Sequence, residues 1–188
     1  MNNPLITIIR LLFSLYIYCV FLRILFEWVR ADRNNILTLS ITRLTQPPLT
    51  YLGKFLPSAM PIKIQAIILI VVLELLKLFI VSMLYRLWPN FFGLLGWTIV
   101  DLVYQLITLY IYVFFIQIIF SWLMPKSATP ISYIVYTLTY RILKIIRRFV
   151  PTIKGFDLSP AVAILLLQLC SSFVVNPLNQ KFLQIALS

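Results

Sequence analysis

At 188 residues, 62% hydrophobic and only 11% charged, the chain departs far from the composition of a soluble domain and reads as an integral membrane protein. That length holds a few spans of about 20 residues with their connections, which leaves no room for a separate soluble domain. The net charge of +11 would suit nucleic acid, but the charges sit beside apolar spans, so no specific nucleic-acid role is expected; without histidine, no haem, zinc or other cofactor is expected either.

In chain order, a first span is expected from about Pro4 or Leu5 to Trp28. Its apolar run is too long for the core of a secretory signal, and no small-residue cleavage site follows, so it reads as a retained span. Trp28, followed by Arg30, Asp32 and Arg33, marks an exit into water. Residues 30–63 form a basic connection with Arg30, Arg33, Arg43, Lys54 and Lys63, in which Pro47 and Pro48 are expected to bend or divide any helix. A second span runs from near Ile64 to about Tyr85, and Arg86, Trp88, Pro89 and Asn90 make a turn. Residues 91–123 would give about 50 Å of helix, well beyond a hydrocarbon core of about 30 Å. The expected division is an interfacial piece around Asn90 to Trp97, loosened by Gly93 and Gly96, and a third span from Thr98 to Leu123. A second basic connection follows from Lys126 to Lys154. The fourth span then begins near Pro160 behind Ser159 as cap, fades by Val175, and leaves a short surface tail from Pro177. Cys19 and Cys170 lie inside apolar runs and read as small buried hydrophobes rather than a disulfide.

One stretch is written twice. Residues 15–28 read LYIYCVFLRILFEW and residues 109–122 read LYIYVFFIQIIFSW, an offset of 94 that continues through Leu49 and Leu143, Phe55 and Phe149, and Pro57 and Pro151. The chain therefore divides into a first repeat over 1–88 and a second over 89–188, together one compact membrane domain. The fold class expected is all-α: four transmembrane helices as two parallel two-span repeats, each with a basic amphipathic in-plane or re-entrant segment between its spans. Lys and Arg gather in both connections, against Arg86 alone in the central turn and Lys181 in the tail. By the positive-inside rule the connections are cytoplasmic and both termini lie on the other face.

The second connection shows the clearest amphipathic pattern. Ile131, Ile134, Val135, Leu138, Ile142, Ile145, Ile146 and Phe149 share one face, and Thr137, Arg141, Lys144 and Arg148 another, with Arg147 adjacent. Such a helix suits an anionic leaflet, each basic group contributing about 1 kcal/mol. The apolar face suits equally well the spans of its own chain. Inside the spans, Tyr16, Arg23 and Glu27 share a face, where the second copy has Tyr110, Gln117 and Ser121; Glu74 and Lys77 lie one turn apart near the middle of the second span. Charges in hydrocarbon cost about 3 kcal/mol each and mark either a pathway or a buried pair. Arg23, Glu27, Glu74, Lys77 and Gln117 thus form a candidate polar seam, or else the pairs Arg23 with Glu27 and Glu74 with Lys77 join the two repeats. Asp101 and Arg10 read as single charges satisfied by snorkelling toward the outer face.

The duplicated unit resembles the YggT family, also called YlmG, over nearly the whole chain. Arg23, Trp28, Thr45, Pro47, Leu49, Lys54 and Pro57 match its pattern in the first copy, and Trp122, Thr139, Leu143, Arg147, Arg148, Pro151, Gly155, Asp157, Ser159 and Pro160 in the second. Lys63 departs from the pattern where the second copy has Asp157, and Arg141 stands where a proline is usual. The resemblance implies a four-span bacterial inner-membrane protein of the two-repeat, Gram-negative kind. It also implies an association with osmotic and ionic stress tolerance, and plastid relatives are tied to cytochrome assembly and nucleoid organisation.

No nucleophile elbow, phosphate loop or suitably spaced pair of carboxylates is present, so an enzyme is not expected. Two functions are consistent with the residues. One is an accessory or scaffold protein that organises anionic lipid at the cytoplasmic face, a membrane-protein partner or further copies of itself. The other is a channel or transporter for an ion or small solute along the polar seam.

Overall fold

The structure, a computed structural model, describes residues 4–57, 60–123, 129–150 and 157–187. The described residues are helical apart from short connections: α1 (Pro4–Trp28), α2 (Ile36–Gly53), α3 (Ile62–Leu84), α4 (Phe91–Leu123), α5 (Pro130–Ile146), α6 (Ser159–Cys170) and α7 (Asn176–Leu187), with one π turn (Ser171–Val175) between the last two. Among the described residues, four segments are long and apolar enough to cross a membrane: Pro4–Trp28, Ile62–Leu84, Phe91–Ser121 and Ser159–Ala186. The chain is a multi-pass membrane protein.

Within each repeat the connecting helix doubles back along the span before it. Leu37 and Ile41 of α2 pack near Leu25 and Phe26 of α1, and Leu49 packs among Ile17, Val20, Ala66, Leu69 and Ile70. The pairs move in opposite directions along the two helices, so α2 runs antiparallel to the end of α1 before the chain turns into α3. The second repeat does the same with Phe114, Leu143 and Ala163. Leu49 and Leu143, equivalent at the 94-residue offset, are 1% and 0% exposed, and Thr45 and Thr139 are both 0%. The apolar face of α5 is divided: Ile134, Val135, Leu138 and Leu143 are buried in the chain's own core, whereas Ile131, Ile145 and Phe149 stay exposed.

Equivalent residues also meet across the repeats. The Tyr18 and Tyr112 rings stand edge to face, centroids 6.3 Å apart and planes at 86°. Asn35 caps α2 by accepting from Leu37 N–H (3.0 Å), its equivalent Thr129 caps α5 by accepting from Ser132 N–H (3.1 Å), and Asn35 Nδ2 donates to the carbonyl of Pro130 (2.8 Å). An approximate two-fold axis therefore passes between α1 and α4 and between the starts of α2 and α5.

Three expectations need correction. The two prolines do not divide α2, which runs unbroken from Ile36 to Gly53. Residues 91–123 form one helix rather than two, because Gly93 and Gly96 are places of close approach and not of slack: a Cβ on Gly93 would strike the backbone of Ala186, and one on Gly96 the ring of Phe182. The chain past Val175 is not a surface tail but α7, which packs that same end of α4, with Asn90 N–H donating to the Ala186 carbonyl (2.7 Å). Pro177 would clash with the carbonyl four residues earlier in an uninterrupted α-helix. The π turn just before it, in which Asn176 N–H reaches back to Ser171, provides the room.

Both α1 and α3 end in a six-to-one turn, Ala31 N–H to Phe26 (2.8 Å) and Leu87 N–H to Ser82 (3.0 Å), with Arg30 and Arg86 left-handed at φ 54° and 59°. That position usually holds glycine; here an arginine places a cation at each helix C-terminus instead. Replacing Gly93 by Val should push α7 off α4 and lower stability in detergent by about 1–3 kcal/mol, measured as the midpoint of denaturant unfolding. A midpoint equal to the parent's would show that the α4–α7 contact is not close-packed.

Candidate functional site

Three polar arrangements stand out, and the residues of the expected seam fall into different ones. The first joins α1 to α2. Arg23, 5% exposed, donates from Nη1 to the Thr42 carbonyl (3.1 Å) and to Thr45 Oγ1 (2.9 Å), and from Nη2 to Gln46 Oε1 (2.8 Å). Glu27 lies 3.8 Å from Arg23 Nε, an ion pair too long for a hydrogen bond. Thr45 completes the set by donating to the Ile41 carbonyl (2.7 Å). Arg23 is thus a strut within the first repeat.

A nearby bond compensates the second of the two prolines in α2. Pro48 has no N–H to give the carbonyl of Leu44, and an orphaned carbonyl in an apolar setting is costly. Tyr16 of α1 donates its hydroxyl to that Leu44 oxygen at 3.2 Å. In the second copy Arg141 and Ile142 replace the two prolines, so the helix supplies its own donors there. Arg23's equivalent, Gln117, is 8% exposed, and its Oε1 has no partner among the described residues.

The second arrangement lies between the repeats. Lys77 Nζ is 2.7 Å from Glu74 Oε1 on its own helix and 3.0 Å from Asp101 Oδ2 on α4. Gln105 Nε2 donates to Glu74 Oε2 (2.7 Å) and to Asp101 Oδ2 (3.1 Å), and Asn179 Nδ2 of α7 donates to Asp101 Oδ1 (3.2 Å). Asp101 is therefore not a snorkelling single charge; it is the second-repeat partner of Lys77. Sequence reasoning missed Asp101, Gln105 and Asn179, although Asp101 and Gln105 at i, i+4 on an apolar helix were a signal. Arg10, the other supposed single charge, lies over the Tyr85 ring at 5.9 Å.

The third arrangement is the outer face of the connecting helices. Arg141 Cζ sits 4.9 Å above the Trp28 ring, a cation–π contact from the second repeat to the first. Arg147 donates from Nε (3.0 Å) and Nη2 (2.5 Å) to Asp157 Oδ2, and Asp157 Oδ1 accepts Ser159 N–H (3.0 Å). The capping atom of α6 is thus Asp157 rather than Ser159, whose own hydroxyl oxygen is buried without a partner among the described residues. Burial pushes Asp157 up, but the bonds from Arg147 and Ser159 outweigh it and hold the carboxyl below the usual aspartate range. Lys144 and Arg148 remain exposed on this face. Pro57 is exposed and Pro160 buried; Pro151 and Gly155 lie outside the described residues, as does the side chain of Trp122.

A family model described as CCB3/YggT matches the chain twice, over residues 2–84 and 96–178, windows that start at the 94-residue offset of the repeat. A Pseudomonas aeruginosa protein is 31% identical over 180 residues, covering 95% of this chain and 91% of its own. The Escherichia coli K12 protein YggT is 26% identical (94% and 92%), and a Vibrio alginolyticus protein is 32% identical (88% and 90%). All three are described as uncharacterised. No solved structure matches.

Tyr16→Phe should cost about 1 kcal/mol of stability by orphaning the Leu44 carbonyl, and restoring a donor with Pro48→Ala should recover it; equal losses in both backgrounds would separate the hydroxyl from the proline. Because Asp157 has a lowered folded-state value, its contribution is present above the unfolded value of about 3.9 and is lost as pH falls through the folded one. Asp157→Asn should therefore lower stability at neutral pH and flatten its acid limb, read from unfolding midpoints between neutral and acidic buffer. An acid limb as steep as the parent's would count against the pairing.

Proposed function

The chain belongs to the CCB3/YggT family, and from that premise we propose that it is a non-enzymatic scaffold of the bacterial inner membrane, organising anionic lipid or a membrane-protein partner at its connection face. The observation that carries this reading is a repeated surface feature. Phe55 and Phe149, equivalent in the two copies, are 87% and 81% exposed at the ends of their connecting helices. Each follows a basic residue, Lys54 and Arg148, and the neighbouring Tyr51 and Ile145 are exposed as well. An aromatic ring beside a cation suits the interface of an anionic leaflet, where the ring enters the acyl boundary and the cation stays with phosphate. Two such tips on one rigid bundle would hold lipid on both sides of the approximate axis.

The positive-inside rule supports a cytoplasmic position for this face and a periplasmic one for both termini; thiol labelling of Asp32→Cys from either side of inverted vesicles tests that orientation. The family resemblance adds an expected role under osmotic and ionic stress. A conduit along the spans is the weaker reading, because Arg23 is committed to α2 and pairs with Glu27 on its own helix, while Glu74 and Lys77 are committed to Gln105 and Asp101.

Arg147 is consumed by Asp157, so the informative variant is Lys54→Glu with Arg148→Glu. In nanodiscs of mixed zwitterionic and anionic lipid it should lose several-fold of the parent's retained anionic lipid, measured by lipid analysis after purification, and the parent's retention should fall with salt. Retention that is unchanged by charge reversal and by salt would sink the lipid reading.

A further inference from the structure

The cluster between α3, α4 and α7 is unbalanced in charge. Lys77 Nζ serves Glu74 at 2.7 Å and Asp101 at 3.0 Å, so one ammonium is shared by two carboxylates. With all three ionised, one negative charge is left over where the Lys77 and Glu74 side chains are 6% and 0% exposed. An uncompensated charge in a dry bundle is costly, and one bound monovalent cation removes it.

The geometry distinguishes between a metal ion and a proton. Hard metal ions take several oxygen ligands. Here Lys77 Nζ already holds the place that bridges the two acids, and Gln105 presents its Nε2 hydrogens to both of them at 2.7 and 3.1 Å. A proton needs only one carboxylate oxygen and one acceptor. The second acid supplies that acceptor: Glu74 Oε2 and Asp101 Oδ2 converge on the same Gln105 Nε2, so a proton on one carboxyl lies beside the other.

We propose that Glu74, Lys77, Asp101 and Gln105 form a binding site for one exchangeable proton. The proton adds to a carboxylate oxygen of the Glu74 and Asp101 pair, and the cluster passes from one net negative charge to neutral. Asp101, whose side chain is 18% exposed, is the open edge of the site. Also near it are the phenol of Tyr18 on α1, which interacts electrostatically with both acids, and Asn179 on α7, which donates to Asp101 Oδ1 at 3.2 Å. Through Asn179 the helix beyond the π turn is tied to the same carboxylate that shares the proton. The site does not depend on the lipid reading of the connection face, which lies on other residues.

The test is infrared difference spectroscopy between alkaline and acidic buffer on the purified chain in zwitterionic liposomes. The chain has five acidic residues, Glu27, Asp32, Glu74, Asp101 and Asp157, so a carboxylic C=O band is assignable by elimination. A deuterium-sensitive band from one buried carboxyl per chain is expected, lost in Glu74→Gln and in Asp101→Asn, each of which leaves a balanced acid–ammonium pair. The triple variant Glu27→Gln, Asp32→Asn, Asp157→Asn should keep it, which preserves the test if either single variant fails to fold. Lys77→Met should raise the bound protons from one to two at the same acidic pH. A parent without the band, or a band that survives both single variants or disappears in the triple variant, would overturn the proposal. A band abolished by sodium or potassium at fixed pH would overturn it as well, by making the site one for a metal ion.

Discussion

A polar group in a bundle surrounded by hydrocarbon is costly unless it finds a partner inside the protein, because lipid offers none. That constraint shapes the architecture at each place where the sequence breaks a helical rule. Pro48 withholds a donor from the Leu44 carbonyl, and Tyr16 of the neighbouring helix supplies one. Arg23 sits in a segment apolar enough to span, and it is covered by Thr42, Thr45 and Gln46 of α2. Asp101 would be an isolated charge on α4, and Lys77, Gln105 and Asn179 converge on it from three helices. These bonds fix how the helices pair as well as satisfying the groups, since each joins different elements or bridges a turn.

The two copies meet the constraint by different means. The first uses a charged strut, Arg23, and a tyrosine, Tyr16, that compensates Pro48. The second replaces the arginine by Gln117 and the prolines by Arg141 and Ile142, and moves its ion pair to Arg147 and Asp157, at the junction of α5 with α6. What stays constant is the small, fully buried pair at the crossing, Thr45 with Leu49 and Thr139 with Leu143. A threonine there returns its hydroxyl to its own helix, Thr45 to Ile41 and Thr139 to Val135, and lets the span approach closely without an unmet polar atom.

Much of this was legible in the residues. Helix length and the hydrocarbon thickness located the four spans, and the 94-residue offset located the repeat, since both rest on patterns carried by many residues. The corrections fall where a single partner far along the chain decides. In α2 the carbonyl that Pro48 leaves without a donor is served by Tyr16, 28 residues away, and no local rule for proline contains that information. The unity of α4 depends on Ala186 and Phe182 lying against its glycines, so residues that loosen an isolated helix instead mark its closest contact. Glu74 and Lys77 were visible as a pair at helical spacing, but their third and fourth partners come from a helix whose facing could not be read before the fold was known.

The contact of Tyr18 with Tyr112 has a further consequence. Identical positions of the two copies touch one another, so the self-complementary patch that would otherwise join two separate subunits is already occupied within one chain. The fusion turns a bimolecular assembly into an intramolecular one, with an effective concentration set by the short segment between α3 and α4 rather than by abundance in the membrane. It also frees the halves from having to be alike. Once both are encoded on one chain, an acid can be kept on one side of the axis and its ammonium on the other, an arrangement that a true homodimer would have to build twice.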